Sequence, residues 1–289
     1  MNRASSMRAG TLQGLAFSKM QGIGNDFVVL DCRQSPFRLS REQIRKLADR
    51  HFGVGCDQLL SIEPPRDPGC DFYYGIWNAD GSPSGQCGNG VRCVAAWLVR
   101  AGALALNTPA RIESPSGPVV VRVLAAGRVA VEMGEPDFNP AALAYAGPGS
   151  DPDVVLTVEG APVAIGMVSM GNPHVVAVTR RSAPLTPELL GPALTGHALF
   201  PSQVNAGLVE AFSPTRIRLR VHERGSGWTL ACGTGACAAM AVLRRRGLVE
   251  DSVQVELPGG VLQIDWAGPG HALWMTGPAE HVFSGVWAS

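Results

Sequence analysis

Two similar stretches indicate that the chain contains an internal duplication: Cys87-Gly88-Asn89-Gly90 and Cys232-Gly233-Thr234-Gly235. They begin 145 residues apart (87 to 232) in a chain of 289, and each precedes an alanine-rich apolar stretch that ends at Arg and then Gly. A glycine just beyond the last apolar residue is typical of a helix C-terminus. The repeat therefore predicts two related halves, each with a helix that begins at a Cys-Gly-x-Gly turn.

Polar residues also recur in the same order in the two halves. The recurring pairs are Asn25 and Asn172, Gln58 and Asn205, Asn78 and Glu223, and Cys87 and Cys232. A repeated core alone would repeat apolar residues and turns. Duplicated domains also keep asparagines at turns for backbone reasons, and this remains an alternative for any single asparagine. Together the pairs predict two half-sites that face each other across a cleft.

Two further helix starts can be read from local signals. Ser40 is followed three residues later by Gln43, the pattern of a capping box. Thr186-Pro187 places a proline at the first position of a helix, where its missing N–H costs nothing. We therefore expect a short helix before Gln58 and another before Asn205.

Composition argues against several classes of protein. Lys+Arg and Asp+Glu each number 24, so the basic excess typical of a nucleic-acid-binding protein is missing. No apolar run approaches the ~18 residues of a membrane span. Lys19 and Lys46 are the only lysines, which makes an enzyme with a pyridoxal-phosphate Schiff base a poor fit. We expect a globular protein of two domains with no nucleic-acid partner and no membrane partner.

The seven cysteines do not have the spacing of a disulfide framework or a zinc site, since no CxxC pair occurs. This favours a reducing, cytoplasmic setting without a bound metal. A Cys87–Cys232 disulfide, as an inactive oxidised form, remains an alternative. The other five are expected to be small buried core residues: Cys32, Cys56, Cys70, Cys93 and Cys237.

Residues 1–14 are polar, contain no acidic residue and lack the apolar segment of a signal peptide. We expect a disordered extension, or translation that starts at Met7. An organelle transit peptide is a third interpretation.

The Cys-Gly-x-Gly motif combines two chemical functions at one helix N-terminus. The positive end of the helix dipole stabilises a thiolate. Backbone N–H groups that glycines leave uncovered can bind a carboxylate. Two such motifs could grip one α-carboxylate with a thiol on either face of the α-carbon. One thiolate would remove the α-proton and the other thiol would return a proton from the opposite side, which inverts the stereocentre, while dipoles stabilise the developing charge.

Seven motifs in order resemble those of the diaminopimelate epimerase family, from about Leu15 to the C-terminus. They are Lys19-Met-x-Gly-x-Gly-Asn25-Asp-Phe27, Gly55-x-Asp57-Gln58-Leu59-Leu60, Asn78-Ala-Asp-Gly81, Gln86-Cys-Gly-Asn-Gly90, Gly171-Asn-Pro-His174, Glu223-Arg224-Gly225 and Ala231-Cys-Gly-Thr-Gly-Ala236. The resemblance implies an α+β fold of two pseudo-symmetric domains, each a curved mixed β-sheet or barrel around a central α-helix. It also implies a cofactor-independent homodimer that interconverts LL- and meso-diaminopimelate in lysine and peptidoglycan-precursor synthesis.

The same resemblance implies roles for individual residues. Cys87 and Cys232 would be the acid/base pair, with His174 and Glu223 as helpers of the proton transfers. The implied substrate contacts are Asn25, Gln58, Asn78, Gly88, Asn89, Asn172, Asn205, Arg224, Gly233 and Thr234. Arg224 could hold the carboxylate of the second amino-acid centre by a bidentate contact.

From the repeat and the resemblance we expect an N-terminal half-site domain of residues 15–132 plus 278–289, which carries Cys87. Residues 133–277 would form the C-terminal half-site domain with Cys232. One residue departs from the family pattern, because Trp228 stands where a glutamate is usual, four residues before Cys232. Trp228 could repack its loop or alter substrate preference. The alternatives in function are another two-cysteine racemase, acting on histidine or a proline derivative, and a thiol redox or amino-acid-binding protein.

Overall fold

The computed structural model describes residues 12–85, 87–179 and 185–288. Residues 1–11, with Met7, and Gln86 of the Gln86-Cys87 motif lie outside the described residues. The chain divides into two compact units, Met1–Val129 with Pro278–Ser289 (unit 1) and Ala130–Gly277 (unit 2). Leu12, which the sequence places in the extension, is buried in the core of unit 1, and the Gly14 N–H donates to the Trp287 carbonyl.

The described residues form seventeen strands, four helices and two 3₁₀ turns. The strands are β1 (Ala16–Gly22), β2 (Asn25–Asp31), β3 (Gln58–Glu63), β4 (Phe72–Asn78), β5 (Pro109–Ser114), β6 (Gly117–Val123), β7 (Arg128–Glu132), β8 (Asp153–Val158), β9 (Ala161–Ser169), β10 (Pro173–Val178), β11 (Asn205–Ser213), β12 (Arg216–Glu223), β13 (Gly227–Thr229), β14 (Ser252–Leu257), β15 (Gly260–Asp265), β16 (Trp274–Pro278) and β17 (Glu280–Val286). The helices are α1 (Arg41–Ala48), α2 (Gly88–Arg100), α3 (Pro187–Thr195) and α4 (Gly233–Arg245), and the 3₁₀ turns are Ala125–Gly127 and Pro140–Leu143.

Unit 1 is a mixed sheet with the strand order β17-β1-β2-β3-β4-β5-β6. The pairs β2–β3 and β4–β5 are parallel, and the other neighbours are antiparallel. Strand β17 lies beside β1, so the C-terminal segment completes the sheet of the N-terminal unit.

Unit 2 repeats this order with β8-β9-β10-β11-β12-β14-β15-β16. Here β10–β11 and β12–β14 are the parallel pairs, at the positions equivalent to those of unit 1. The remaining pairs are antiparallel, and the short β13 pairs with the end of β12. The repeat read from the sequence is therefore a repeat of topology.

In each unit the sheet curves around the helix that follows the motif cysteine. Helix α2 contacts β1, β2, β3, β6 and β17, and α4 contacts β9 to β12 and also β14 and β15. Residues 235–243 of α4 are all buried, as expected of a helix that is enclosed on every side. The fold class expected from the sequence, α+β with two pseudo-symmetric domains around central helices, is confirmed.

The shorter helices cover the outer faces of the sheets. Residues 27–30 of β2 are all buried, because α1 covers one face of the sheet and α2 the other. Helix α1 has the predicted capping box, with the Ser40 side chain accepting from the Gln43 N–H. Helix α3 begins after Thr186 with Pro187 in its first turn, which confirms the second prediction. Within the described ranges, no helix is long and apolar enough to cross a bilayer.

Candidate active site

Cys87 is the N-cap residue of α2, with extended backbone angles (φ −140°, ψ 115°). Its sulfur accepts a hydrogen bond from the Gly90 N–H at 3.4 Å, and its S–H donates to Asn25 Oδ1 at 3.6 Å. The side chain is half-buried, which leaves access to a ligand. A sulfur in this position lies at the positive end of the helix dipole, as the motif predicts.

The other polar residues expected in unit 1 lie at the ends of neighbouring strands. Asn89 Nδ2 donates to Asn25 Oδ1 at 3.2 Å, which joins Asn89 to the residue that Cys87 contacts. Gln58, the first residue of β3, pairs in register with Asn78, the last residue of β4, and its Nε2 donates to Asn78 Oδ1 at 3.0 Å. Asn78 in turn donates to Ser82 Oγ at 3.1 Å. The structure thus orders two small clusters, Cys87 with Asn25 and Asn89, and Gln58 with Asn78.

Cys232 is the N-cap residue of α4 and is more deeply buried than Cys87, with 4% of its surface exposed. Burial raises the pKa of Cys232 well above its usual value, and the nearby Glu223 carboxylate raises it further. Hydrogen bonds from the Gly235 N–H and the Thr234 side chain lower the pKa of Cys232 by smaller amounts. The resting Cys232 is therefore a thiol at neutral pH.

A chain of hydrogen bonds leads from Cys232 to His174. The sulfur lies 3.7 Å from Thr234 Oγ1, and Thr234 Oγ1 accepts from Asn172 Nδ2 at 3.3 Å. Asn172 Oδ1 lies 3.0 Å from His174 Nε2. Since the Asn172 oxygen can only accept, His174 is the Nε2–H tautomer.

His174 is a buried neutral imidazole. It is 1% exposed, and burial, with a smaller contribution from Arg224, lowers its pKa to about 3. Its Nδ1 has no hydrogen-bond partner among the described residues. This histidine can therefore offer a lone pair at neutral pH but no positive charge.

Three further predicted residues lie together at the end of β12. Asn205 Nδ2 donates to the Pro173 carbonyl at 3.1 Å, and Asn205 Oδ1 accepts from the Arg224 N–H at 3.0 Å. Glu223 accepts a hydrogen bond from the Thr229 hydroxyl. The Arg224 side chain is exposed and donates to the Ser202 carbonyl at 3.1 Å. The guanidinium is thus available to a ligand at the price of one surface hydrogen bond.

Asp57, Thr229 and Tyr74 contact predicted site residues but are not among the residues predicted from the sequence. Asp57 Oδ2 accepts from Asn25 Nδ2 at 2.9 Å, and Thr229 donates to Glu223. The buried Tyr74 hydroxyl accepts from the Cys87 N–H at 3.5 Å. A signal existed for Tyr74, because the repeat places the apolar Leu219 at the equivalent position of β12. Asp57 lies directly before Gln58 in a quoted motif, but nothing in the sequence says which side chain it meets.

Trp228 lies away from the Glu223 carboxylate. Neighbouring side chains of a strand point to opposite faces, and the adjacent Thr229 bonds Glu223. The Trp228 ring packs on Gly191 of α3, edge-on to His222 at 5.2 Å, with the Arg220 guanidinium 4.4 Å from the ring centroid. A Cβ at Gly191 would lie 2.6 Å from the ring, so this contact requires glycine. Trp228 is therefore a packing residue between β12 and α3.

The second glycines of the two motifs, Gly90 and Gly235, differ in the space available for a side chain. A Cβ built at Gly235 would lie 2.8 Å from Val221 Cγ2 and 3.1 Å from the Cys232 sulfur. At Gly90 the nearest atom would be Leu60 Cδ2 at 3.3 Å. We expect Gly235→Ala to lower the free energy of unfolding by about 1–3 kcal/mol more than Gly90→Ala, because the tighter site must move. The two glycines hold the same helical position, so the gain in helix propensity cancels. Equal urea midpoints for the two variants would contradict this.

The family model described as diaminopimelate epimerase matches residues 17–139 and 166–282. Diaminopimelate epimerases of Xylella fastidiosa and Xanthomonas euvesicatoria pv. vesicatoria are 50% and 52% identical over 274 residues, which is 94% of this chain and 96% of each relative. That of Alkalilimnicola ehrlichii is 51% identical over 93% of this chain and 97% of its own length.

Solved structures with much lower identity share the fold. A hydroxyproline epimerase from Agrobacterium vitis has a TM-score of 0.65 at 16% identity, covering 95% of this chain and 97% of that one. A probable proline racemase from Agrobacterium radiobacter has a TM-score of 0.65 at 15% identity, covering 95% and 98%. The family model spans both motif cysteines and the sequence relatives match nearly the whole chain; the chain therefore belongs to the diaminopimelate epimerase family.

Proposed function

We propose that this protein interconverts LL- and meso-diaminopimelate without a cofactor, as a step in lysine and peptidoglycan-precursor synthesis. The observation that carries the proposal is the equivalent placement of Cys87 and Cys232. Each is the N-cap of the central helix of its unit, and each has a repeated set of polar side chains around it. Family membership supports the identity of the substrate.

In the proposed reaction the two thiols act on opposite faces of one α-carbon. One as thiolate removes the α-proton, and the other as thiol donates a proton, so that no proton is gained or lost overall. The N–H groups of the first helical turns, at Gly88-Asn89 and Gly233-Thr234, would bind the α-carboxylate. These fixed dipoles stabilise the charge that develops when the α-proton leaves.

Glu223 and His174 fit the role of helpers of Cys232. Burial is the larger cause of the raised pKa of the Cys232 thiol, and the Glu223 carboxylate is the second. Glu223 therefore favours the protonated sulfur. His174 reaches the same sulfur through Asn172 and Thr234. Removal of the Cys232 proton therefore needs a change in this environment when substrate binds.

The distal amino-acid centre of the substrate must be held but not inverted. The exposed Arg224 guanidinium can bind its carboxylate through two parallel N–H···O bonds. The amides of Asn78 and Asn205, with Glu223, can orient its ammonium group. This set favours a dicarboxylic diamino acid over a monocarboxylic one.

The proposal is tested with reduced protein and LL-diaminopimelate in D₂O. We expect the meso form with deuterium at one α-carbon, followed by mass spectrometry and chiral chromatography. Absence of both exchange and inversion would overturn the proposal. Preferred turnover of a monocarboxylic amino acid such as proline or histidine would support the alternative two-cysteine racemase.

We also propose that the protein works as a homodimer in the cytoplasm. None of the seven cysteines, all within the described residues, forms a disulfide bond, which suits a reducing compartment. Light scattering coupled to size exclusion would report twice the 30.3 kDa of one chain. A monomer that is fully active would overturn the dimer.

Trp228→Glu, which restores the residue usual in the family, should change stability and not substrate preference. Loss of the ring from its place against Gly191 and His222 should lower the free energy of unfolding by about 1–3 kcal/mol. The kcat/KM for diaminopimelate should stay within about threefold of the parent value, since the ring does not face Glu223. Phe52→Glu is the control, because Phe52 is 84% exposed and should cost less than about 0.5 kcal/mol. A change in kcat/KM above tenfold with unaltered stability would contradict the packing role.

A further inference from the structure

The two asparagines that recur beside the motif cysteines present opposite ends of their amides. In unit 1 the Asn25 oxygen faces the cysteine, since Asn25 Oδ1 accepts from Cys87 Sγ and from Asn89 Nδ2. In unit 2 the Asn172 nitrogen faces the cysteine side, since Asn172 Nδ2 donates to Thr234 Oγ1. The repeat therefore keeps the residue type and reverses its hydrogen bonding.

The reversal has a physical cause in the residue behind each asparagine. Asn25 has a carboxylate behind it, with Nδ2 2.9 Å from Asp57 Oδ2. An ionised carboxylate can only accept hydrogen bonds, so the amide nitrogen must point to Asp57 and the oxygen is left for Cys87. Asn172 has the His174 imidazole behind it, whose Nε2–H donates to the amide oxygen. The amide nitrogen of Asn172 is then left for Thr234.

Asp57 is itself held in place by charge. Arg50 Nη2 donates to Asp57 Oδ1 at 2.7 Å and to Asp26 Oδ1 at 2.8 Å. Although burial opposes ionisation, Arg50 and Lys19 hold the pKa of Asp26 well below its usual value. The Asp26 N–H also donates to Asp57 Oδ2 at 3.2 Å. Asp57 and Asp26 thus form a network with Arg50 and Lys19. This network fixes the position of the Asp57 carboxylate, which in turn accepts from Asn25.

A carbonyl oxygen beside a sulfur favours the protonated thiol, because it can accept from S–H and repels S⁻. Ionisable groups that interact with Cys87 include the Tyr74 hydroxyl from β4 and the Cys93 thiol from α2. Asp26, Lys19 and Arg50 lie beyond Asp57. All of these ionisable groups are present in every variant at position 57, so the variants differ only at that residue.

We propose that Asp57 is a positioning residue that keeps the Asn25 oxygen on Cys87, so that the amide accepts a hydrogen bond from the Cys87 S–H instead of donating one to its sulfur. The proposal rests on the proposed acid/base function of Cys87. Asp57 itself touches neither Cys87 nor a reacting atom, and acts through the orientation of one amide.

The test measures alkylation of Cys87 against pH and needs no turnover. Each variant carries Cys232→Ala, and the Cys87 peptide labelled by iodoacetamide is quantified by mass spectrometry between pH 6 and 10. Asp57→Asn keeps the size of the side chain but lets Asn25 turn its N–H to the sulfur. We expect the pH midpoint of alkylation to fall by about 0.5–1 unit, the worth of one hydrogen bond.

A double-mutant cycle separates positioning from a direct effect of the lost charge. Asp57→Asn should not move the midpoint in an Asn25→Ala background, because no amide remains to be oriented. A shift that persists there, or the absence of a shift with Asn25 present, would overturn the proposal. Asp80→Asn is the control, since Asp80 is an exposed acid bonded to Arg41 and Ser82 and should leave the midpoint unchanged.

If Asp57→Asn fails to fold, Asp57→Ser replaces it, since a hydroxyl also releases the amide. Alkylation can succeed even if diaminopimelate is not a substrate, so the outcome is independent of the D₂O assay. Failure of positioning and failure of the proposed function can thus be told apart.

Discussion

Cys232→Ala should lower the rate of inversion of diaminopimelate by about 10²–10⁴-fold, and Cys87→Ala should do the same, while both variants keep the fold. Each substitution removes one of the two proton carriers, and no described side chain replaces a thiol at either helix start. The measurement is kcat in the D₂O assay, with circular dichroism and a urea titration to follow folding. Loss of the small Cys232 side chain should cost little stability beside the loss of rate.

Cys237→Ala and Cys93→Ala are the matched controls. Both cysteines lie in the same two helices, are fully buried and belong to the core rather than to the helix start. We expect kcat within about threefold of the parent for both. An active Cys232→Ala, or a Cys237→Ala variant that loses rate equally while folded, would refute the assignment of the proton carriers.

Stability should fall steeply in mild acid because of His174. Its pKa in the folded protein is about 3, against 6.5 for an ordinary histidine. Below pH 6.5 the unfolded chain takes up a proton that the folded chain does not, so acid favours unfolding. The free energy of unfolding therefore falls by about 1.4 kcal/mol for each pH unit between 6.5 and 3, and above pH 6.5 this histidine no longer makes stability depend on pH.

His174→Gln tests this by removing the titrating group and keeping a donor for Asn172. Urea unfolding at pH 7, 6 and 5 should give a free energy of unfolding that declines less steeply for the variant than for the parent. The difference between the two declines should be about 2 kcal/mol between pH 6.5 and pH 5. His51→Gln, at an exposed position, should follow the parent curve. Parallel curves for the parent and His174→Gln would contradict the buried neutral imidazole.

Much of the fold could be predicted because its signals are local or periodic. The Cys-Gly-x-Gly turns, the alanine-rich stretches and the terminal glycines lie within single helices, so the starts of α2 and α4 at Gly88 and Gly233 follow from neighbouring residues. The capping box at Ser40 depends on four residues. The internal repeat then carried these local predictions to the level of two related units.

The details of the site depend on contacts between distant residues. Asp57 meets Asn25 across two parallel strands, and His174 becomes neutral because the whole of unit 2 excludes water from it. The sequence allows two interpretations of Trp228, and its ring packs against Gly191, 37 residues earlier in the chain (228 to 191). None of these contacts has a signature in the residue types alone.

Residue identity and helix-start patterns are local properties of the chain, so the amino-acid sequence alone indicates which groups carry the chemistry and that there are two sets of them. The charge and the hydrogen-bond direction of those groups depend on the folded surroundings: a carboxylate behind Asn25 and an imidazole behind Asn172 turn the same amide in opposite senses. Hydrogen-bond direction and burial are properties of what surrounds a side chain, and the surroundings come from strands far apart in sequence.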